Sequence, residues 1–285
     1  MKSNIVLIMT FNQITIVITS YKSDEKIFKC LQSINNQCLT IVIENSDNIL
    51  FKEKIEKNFT NTKCIIAGEN LGYAKGNNLG LSKVKTKFAL ILNPDAELKA
   101  SALNNFLESA NKIKNFAIIG PAAESEENIE NQIKTITEVN AVKGFAMFLN
   151  LDEFKDIGFF DDNFFIYLEE TDLCKRLRKK NKKIFIDPNI IIHHQGGSSH
   201  DEKYNFKMEL SRNWHWMWST FYYNKKYYGF STAFLKILPK FIKSFFKYIF
   251  YSLTQNKDKK NIYFHRLSGI INSLIGRKSW YRPNL

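Results

Sequence analysis

The stretch Phe88-Ala-Leu-Ile-Leu-Asn-Pro-Asp95 decides how this sequence folds. Five apolar residues make a run of the length of a buried strand. Pro94 cannot donate to a ladder and ends it, so the carboxylate of Asp95 is delivered to the carboxyl end of that strand. Working outward, residues 14–19, 41–43 and 64–67 are runs of the same kind. Helical patterns lie between them. Ile27, Leu31 and Ile34 share a face behind Asp24 as a cap; residues 51–59 and 72–83 connect the next strands; Leu103, Phe106, Leu107, Ala110 and Ile113 follow Ser101 as a cap. Strand and helix alternating in this way predict an α/β fold, a mainly parallel sheet flanked by helices. Residues 141–149 read as a further strand entered through Lys143-Gly144, and residues 123–138, with Glu124, Glu126, Glu127 and Glu130, as a polar surface excursion.

In sheets of this class ligands bind beyond the carboxyl ends of the strands. That rule points to Ser20 and Tyr21, Glu44 and Asn45, Asn70, and Asn93 with Asp95. A carboxylate at position 95 can hold Mg²⁺ or Mn²⁺ against a diphosphate, because hard cations prefer oxygen ligands and accept substrate phosphates; the plainer reading is an Asn-Pro-Asp turn. Residues 70–80, Asn-Leu-Gly-Tyr-Ala-Lys-Gly-Asn-Asn-Leu-Gly, bring three glycines and interleaved polar groups (Asn70, Gly72, Lys75, Asn77, Asn78). They read as a loop that lets backbone approach a ligand beside a helix N-terminus, or as an ordinary loop and cap.

The richest segment runs from Gly158 to Ser199. A helix starting at Glu169 puts Glu170, Leu173 and Leu177 on one face and lets Asp172 pair with Arg176. The helix dipole favours an ionised acid in the first turn, and an inward carboxylate at a site's edge suits general-base work. The bland alternative is an acidic, exposed helix start. Further on, a strand delivers His193 and His194 beside Gly196-Gly197, and strand alternation sends one imidazole to each side.

Composition divides the chain. Residues 203–285 hold 16 Lys/Arg against 2 Asp/Glu, whereas residues 1–202 hold 25 against 26, and all four tryptophans fall in the second part. A near-neutral domain, 1–202, is thus joined to a basic, aromatic helical region, 203–285. Within it, residues 230–253 place Lys236, Lys240, Lys243 and Lys247 on one stripe among Phe, Ile, Leu and Tyr. That is a poor membrane span but a good helix for lying on an anionic membrane surface; a core helix with snorkelling lysines is the alternative. The four cysteines are scattered, with no CxxC, which fits a reducing compartment. Residues 5–9 are too short for a signal-peptide core, so a cytoplasmic protein is expected.

In order, the blocks at 14–21, 41–47, 70–80, 90–97, 143–144 and 158–199 resemble family 2 glycosyltransferases, in particular the rhamnosyltransferase-like branch of bacterial surface-polysaccharide synthesis. The resemblance implies a GT-A fold, a divalent cation, and inverting transfer of a sugar, rhamnose included, from a dTDP- or UDP-linked nucleotide-sugar donor. The acceptor it implies is a lipid-linked saccharide at the inner face of the cytoplasmic membrane. By position it implies that Ser20, Tyr21 and Glu44 line the base pocket, with Asn45, Asn70, Gly72, Lys75, Asn77, Asn78 and Asn93 on the donor. Asp95 and His193 or His194 would hold the metal or diphosphate. Glu170 is the base, with Glu169 and Asp172 beside it, and Gly144 and Tyr167 lie toward the acceptor. Three positions depart from the pattern: Glu44 for an Asp, Asn93 for the first acid of a DxD pair, and Glu170 for an Asp. The extra methylene at 170 moves the carboxylate by roughly 1.5 Å, and misplacement on that scale costs a catalyst about 10²-fold. A different class, an RNA- or DNA-binding protein gripping with its basic part on a degenerate domain, is opposed by the acids at the strand ends, so no nucleic acid partner is expected. A nucleotidyltransferase would need a Gly-rich basic loop after the first strand, which Ser20-Tyr-Lys-Ser-Asp24 does not supply.

Overall fold

The computed structural model describes residues 10–122, 134–194, 196 and 199–283. The apolar run at 5–9 and the glutamates of the polar excursion lie outside the described residues.

Four parallel strands form one half of the main sheet: β1 (Ile14–Ser20), β2 (Leu39–Glu44), β3 (Thr62–Ile66) and β4 (Phe88–Leu92), in the order 3-2-1-4. Val17 of β1 lies opposite Ile41 on one side and Ile91 on the other, so β1 is central and its five leading residues are buried. β8 (Ala146–Asn150) runs antiparallel to β4 and carries the sheet on to β6 (Ile118–Pro121), β9 (Ile184–Asp187) and β7 (Thr137–Glu138). A separate pair, β5 (Ala96–Leu98) and β10 (Ile192–His194), sits at the end of β4 with His194 opposite Ala96.

The helices α1 (Lys26–Ile34), α2 (Ile49–Asn58), α3 (Gly72–Leu81), α4 (Ala102–Lys112) and α5 (Glu169–Lys179) flank this sheet. The expected stripes on α1 and α4 are buried, but their caps differ from expectation: α1 begins after Asp24, with Ile27 N–H donating to Ser23 O, and Ser101 makes no side-chain cap bond. Asn48 does cap α2, accepting from Phe51 N–H at 3.1 Å.

Of the two readings of residues 70–80, Gly72 keeps a place beside the site, while Gly76 and Gly80 serve helix packing. Gly72, Gly76 and Gly80 recur every four residues along one face of α3. A Cβ at Gly76 would stand 2.5 Å from Thr19 Cγ2, and one at Gly80 2.4 Å from Val17 Cγ1. These two glycines let α3 lie directly on β1.

The basic region is three helical segments. α6 (Asn205–Leu253) breaks at Gly229 (φ 80°, ψ 169°), where its second half doubles back so that Lys240 lies over the Trp216 ring and Lys236 Nζ meets Asn224 Oδ1 at 3.0 Å; α7 (Lys257–Leu274) packs against it. Gly269 sits so close to α6 that a Cβ there would meet Trp214 O at 2.3 Å. Before the break, α6 is fastened to the sheet domain. Lys226 Nζ lies 2.5 Å from Asp172 Oδ1 and 2.7 Å from Asp161 Oδ2, and the Tyr227 hydroxyl donates to Asp172 Oδ1 at 2.8 Å. After the break, Ala233, Ile237 and Ser244 turn inward, while Leu235 (68% exposed), Ile242, Phe246 (64%), Phe250 and Leu253 (78%) face out. Among the described residues no helix is long and apolar enough to cross a membrane.

Candidate active site

Beyond the carboxyl ends of β1, β2 and β4 runs one trough with a wide end of about 410 Å³ and a narrow end of about 130 Å³. The two ends share Tyr73, Asn93, Ile166, Ser199, His200 and Met208 as walls. Several buried side-chain atoms with no hydrogen-bond partner belong to residues that line it: Thr19 Oγ1, Asn45 Oδ1, Asn93 Oδ1, Glu169 Oε2 and His200 Nε2. Buried polar atoms are nearly always paired, so this concentration marks a surface built to meet a polar ligand.

The wide end holds the acids. Tyr167 (φ 74°) and Leu168 (φ 68°) both adopt the left-handed conformation, costly for residues with a Cβ, and this turn launches α5 with Glu169 and Glu170 at its first positions. Glu169 is 4% exposed; Glu170 is partly open to the trough. Burial, and for Glu169 the charge of Glu170, hold both carboxyls above the usual carboxylate range. Desolvation thus outweighs the helix terminus, which was expected to favour the ionised form of this acid. Gly144 and Tyr167 line the same end, and the Tyr73 hydroxyl donates to Gly144 O.

Behind the opposite wall, hydrogen-bonded to Ser199 and beside His194, both of which line it, stands buried Asp95. Its burial would raise its pKa, but hydrogen bonds from His194 and Ser199 and the His194 charge outweigh that and hold it below the ordinary value. His194 Nε2 lies 3.4 Å from Asp95 Oδ1, with its ring stacked on Phe145 at 4.4 Å. His194 is thus the histidine that faces the trough; His193 is exposed on the other face of β10. Among the described residues no cluster of three His, Cys, Asp or Glu is gathered. The donors present (an ionised carboxylate, an imidazole and the unpartnered Asn93 Oδ1) fit a divalent cation that takes its remaining ligands from substrate phosphates.

Tyr21, Asn45, Asn70 and Gly72 line the narrow end, with Ser20 buried beneath them. Gly72 (φ 75°) is required there, since a Cβ would collide with Phe165. Other candidates have different tasks. Glu44 accepts from Ser46 N–H at 2.9 Å, from the Ser46 hydroxyl and from Asn48 N–H at 2.8 Å, which turns its carboxylate into the α2 entry and away from a base. Lys75 is exposed on the outer face of α3, and Asn77 donates to Tyr73 O within the helix. Asn78 clasps Phe160 N–H, Phe160 O and Asp162. Asp172 does pair with Arg176, at 2.8 Å, but its other oxygen belongs to Lys226 and Tyr227, so it fastens α5 to α6 outside the trough. Tyr73, Lys143, His200, Met208, Arg212 and Pro283 line the trough without having been singled out from sequence; no motif marks His200, Arg212 or Pro283.

Known proteins resemble this chain in sequence and in fold. The family model described as glycosyl transferase family 2 matches residues 15–193. The low-salt glycan biosynthesis hexosyltransferase Agl10 of Haloferax volcanii is 26% identical over 199 residues, 61% of this chain and 64% of its own length. The teichoic acid poly(glycerol phosphate) polymerase of Staphylococcus epidermidis is 32% identical over 108 residues, 35% of this chain and 15% of its own. The chain therefore spans less than two thirds of either relative. In structure it is similar to the mannosyltransferase PcManGT of Pyrobaculum calidifontis, solved with GDP-Man and Mn²⁺ (TM-score 0.59, 10% identity, 92% of this chain and 87% of that one). It is also similar to S. aureus TarS 1–349 (TM-score 0.53, 12% identity, 96% and 93%). These likenesses establish the GT-A type of fold, and the match over more than half its length settles the family: the chain belongs to glycosyl transferase family 2.

Proposed function

We propose that the chain is an inverting hexosyltransferase. It takes a sugar, rhamnose in the reading the sequence supports, from a dTDP- or UDP-linked donor to a lipid-linked glycan. The observation that carries this is the facing pair: raised carboxyls Glu169 and Glu170 on one wall of the trough, His194 with ionised Asp95 behind it on the other. The donor diphosphate lies at the shared middle of the trough and its sugar points toward Glu170. An acceptor hydroxyl gives its proton to the Glu170 carboxylate as its oxygen bonds the anomeric carbon, and the nucleoside diphosphate leaves on the opposite side. Burial of Glu170 raises its carboxyl and so makes it basic enough to accept that proton. Asp95, His194 and Asn93 Oδ1 would hold the divalent cation, which when bound supplies charge to the leaving diphosphate.

Residues 1–202 then carry the catalytic acids, Met208, Ser211, Arg212 and Pro283 complete the trough, and residues 230–253 face the inner surface of the cytoplasmic membrane. Support comes from the outward apolar face of residues 230–253 and the lysines along its flank, of which Lys243 is exposed.

The test is nucleoside diphosphate release from a panel of nucleotide sugars with Mn²⁺ and glycan acceptors. Glu170→Gln should lose about 10²–10⁴-fold in turnover while still binding donor; full activity in that variant removes Glu170 as the base.

A further inference from the structure

The trough is completed by a segment far away in sequence. After α7 and the turn at Gly276 (φ 76°), residues 277–283 run back across α6 to the narrow end. His215 of α6, fully buried, holds this strap on both sides. Its Nε2 lies 2.9 Å from Tyr281 O, and its Nδ1 lies 2.9 Å from Ser279 Oγ. The strap ends in Pro283, which lines the narrow end, and in Arg282, which lies just behind that lining.

Arg282 is an unusual arginine. Its guanidinium stacks on the Phe165 ring at 3.8 Å, and its Nε donates to Asn70 O at 3.0 Å. Its Nη1 donates to Ser279 O and Tyr281 O, so it is held by backbone carbonyls and a ring. It reaches the narrow end through two residues that line it. Phe165 is gripped between Arg282 and the His215 ring, stacked at 4.3 Å, and its backbone carbonyl accepts from Tyr73 N–H at 2.7 Å. Asn70 in turn accepts Gly72 N–H at 3.1 Å.

We propose that this strap is the nucleoside wall of the donor site, and that Arg282 is a positioning residue that sets its selectivity for a pyrimidine nucleotide bearing ring carbonyls. The inference rests on the glycosyltransferase reading. If diphosphate occupies the middle beside Asp95 and His194 and the sugar faces Glu170, the base extends into the narrow end. Its volume, about 130 Å³, lies below the ~300–1,000 Å³ of whole-ligand sites and suits a single ring. The walls there offer the edge of Phe165, whose faces Arg282 and His215 cover, the unpartnered acceptor Asn45 Oδ1 for a ring N–H, and two donors that a uracil or thymine carbonyl can accept from, the Tyr21 hydroxyl and the Asn70 amide. Arg282 fixes the plane of Phe165 and the loop at Asn70 against which such a ring is read.

The experiment is calorimetric binding of UDP, dTDP, GDP, ADP and free uridine to the full chain with Mn²⁺, for the wild type, Arg282→Ala and Arg282→Gln. Wild type should prefer UDP or dTDP. Arg282→Ala should weaken these about tenfold, weaken uridine in proportion, and narrow the gap to GDP and ADP. In turnover the loss should fall mainly on donor KM. Arg282→Gln keeps a planar donor over Phe165 and should recover part of the selectivity; it also serves if the alanine variant does not fold. Unchanged nucleotide selectivity in a folded Arg282 variant, or a wild type that binds GDP or ADP best, overturns the inference. A wild type that binds no nucleotide at all overturns the donor reading itself.

Discussion

Lys226 of α6 meets Asp172 of α5 at 2.5 Å, and the Asp172 side chain is fully buried. Arg176 takes its other oxygen at 2.8 Å, so one buried carboxylate is shared by two cations, with Asp161 supplying Lys226 a second negative charge at 2.7 Å. Removing one partner of such a pair strands the rest. Asp172→Ala should cost about 3–5 kcal/mol in denaturant unfolding, and Lys226→Met distinctly less, because Arg176 still pairs with the acid. Equal losses would show that the carboxylate is not the hub.

Glu169 and Glu170 should leave opposite signatures in stability and rate. A carboxyl whose folded pKa lies above its unfolded value costs nothing below the ordinary value of 4.5 and costs increasingly as pH rises toward the folded value. Glu169→Gln should therefore stabilise the protein at pH 8, by on the order of 1–3 kcal/mol, and the gain should vanish near pH 4. Thermal melts at the two pH values measure it.

The rate follows the same titration in the other direction. A base works when unprotonated, so turnover should fall on acidification through a pKa above the usual carboxylate range. Glu169→Gln should leave that limb in place, because burial rather than its neighbour raises Glu170. A limb that moved would show that Glu169 is charged when Glu170 titrates.

Close approach of backbone makes two glycines intolerant. Gly80→Ala gains about 1 kcal/mol of helix propensity but drives a methyl against Val17, an overpacking cost of about 1–3 kcal/mol. Gly269→Ala meets the Trp214 carbonyl, which cannot rotate away, and should be the worse of the two. Urea midpoints compare them.

Asp95→Asn should abolish the strengthening of nucleoside diphosphate binding by Mn²⁺ while leaving metal-free binding nearly unchanged, read by calorimetry with and without the ion. Separately, Leu235→Asp combined with Phe246→Asp should release the protein from anionic vesicles in a sedimentation assay without altering its melt, since both side chains face outward.

The strands were legible because each is a short apolar run ending in polar residues, and Phe88 to Asp95 reads the same way in sequence and in space. The glycines at 72, 76 and 80 were not, because a spacing of four serves a ligand loop and a helix face equally; only Thr19 and Val17 beneath them decide. Glu44 looked like a ligand by position, yet donors two and four residues on, at Ser46 and Asn48, claim it first. The pattern of residues 205–253 gave no sign of the break at Gly229. His200, Arg212 and Arg282 carry no local signature, since what brings them to the trough is the folding back of α6 and the strap.

The bond from Arg282 to the Asn70 carbonyl joins residues 212 positions apart. At synthesis rates of about 5–20 residues per second, the ribosome takes roughly 10–40 s to make the second after the first. Throughout that interval the nascent chain carries its strand-end acids with one wall of the trough missing. The order of translation alone delays a complete donor site until the helical region has been made and has folded back.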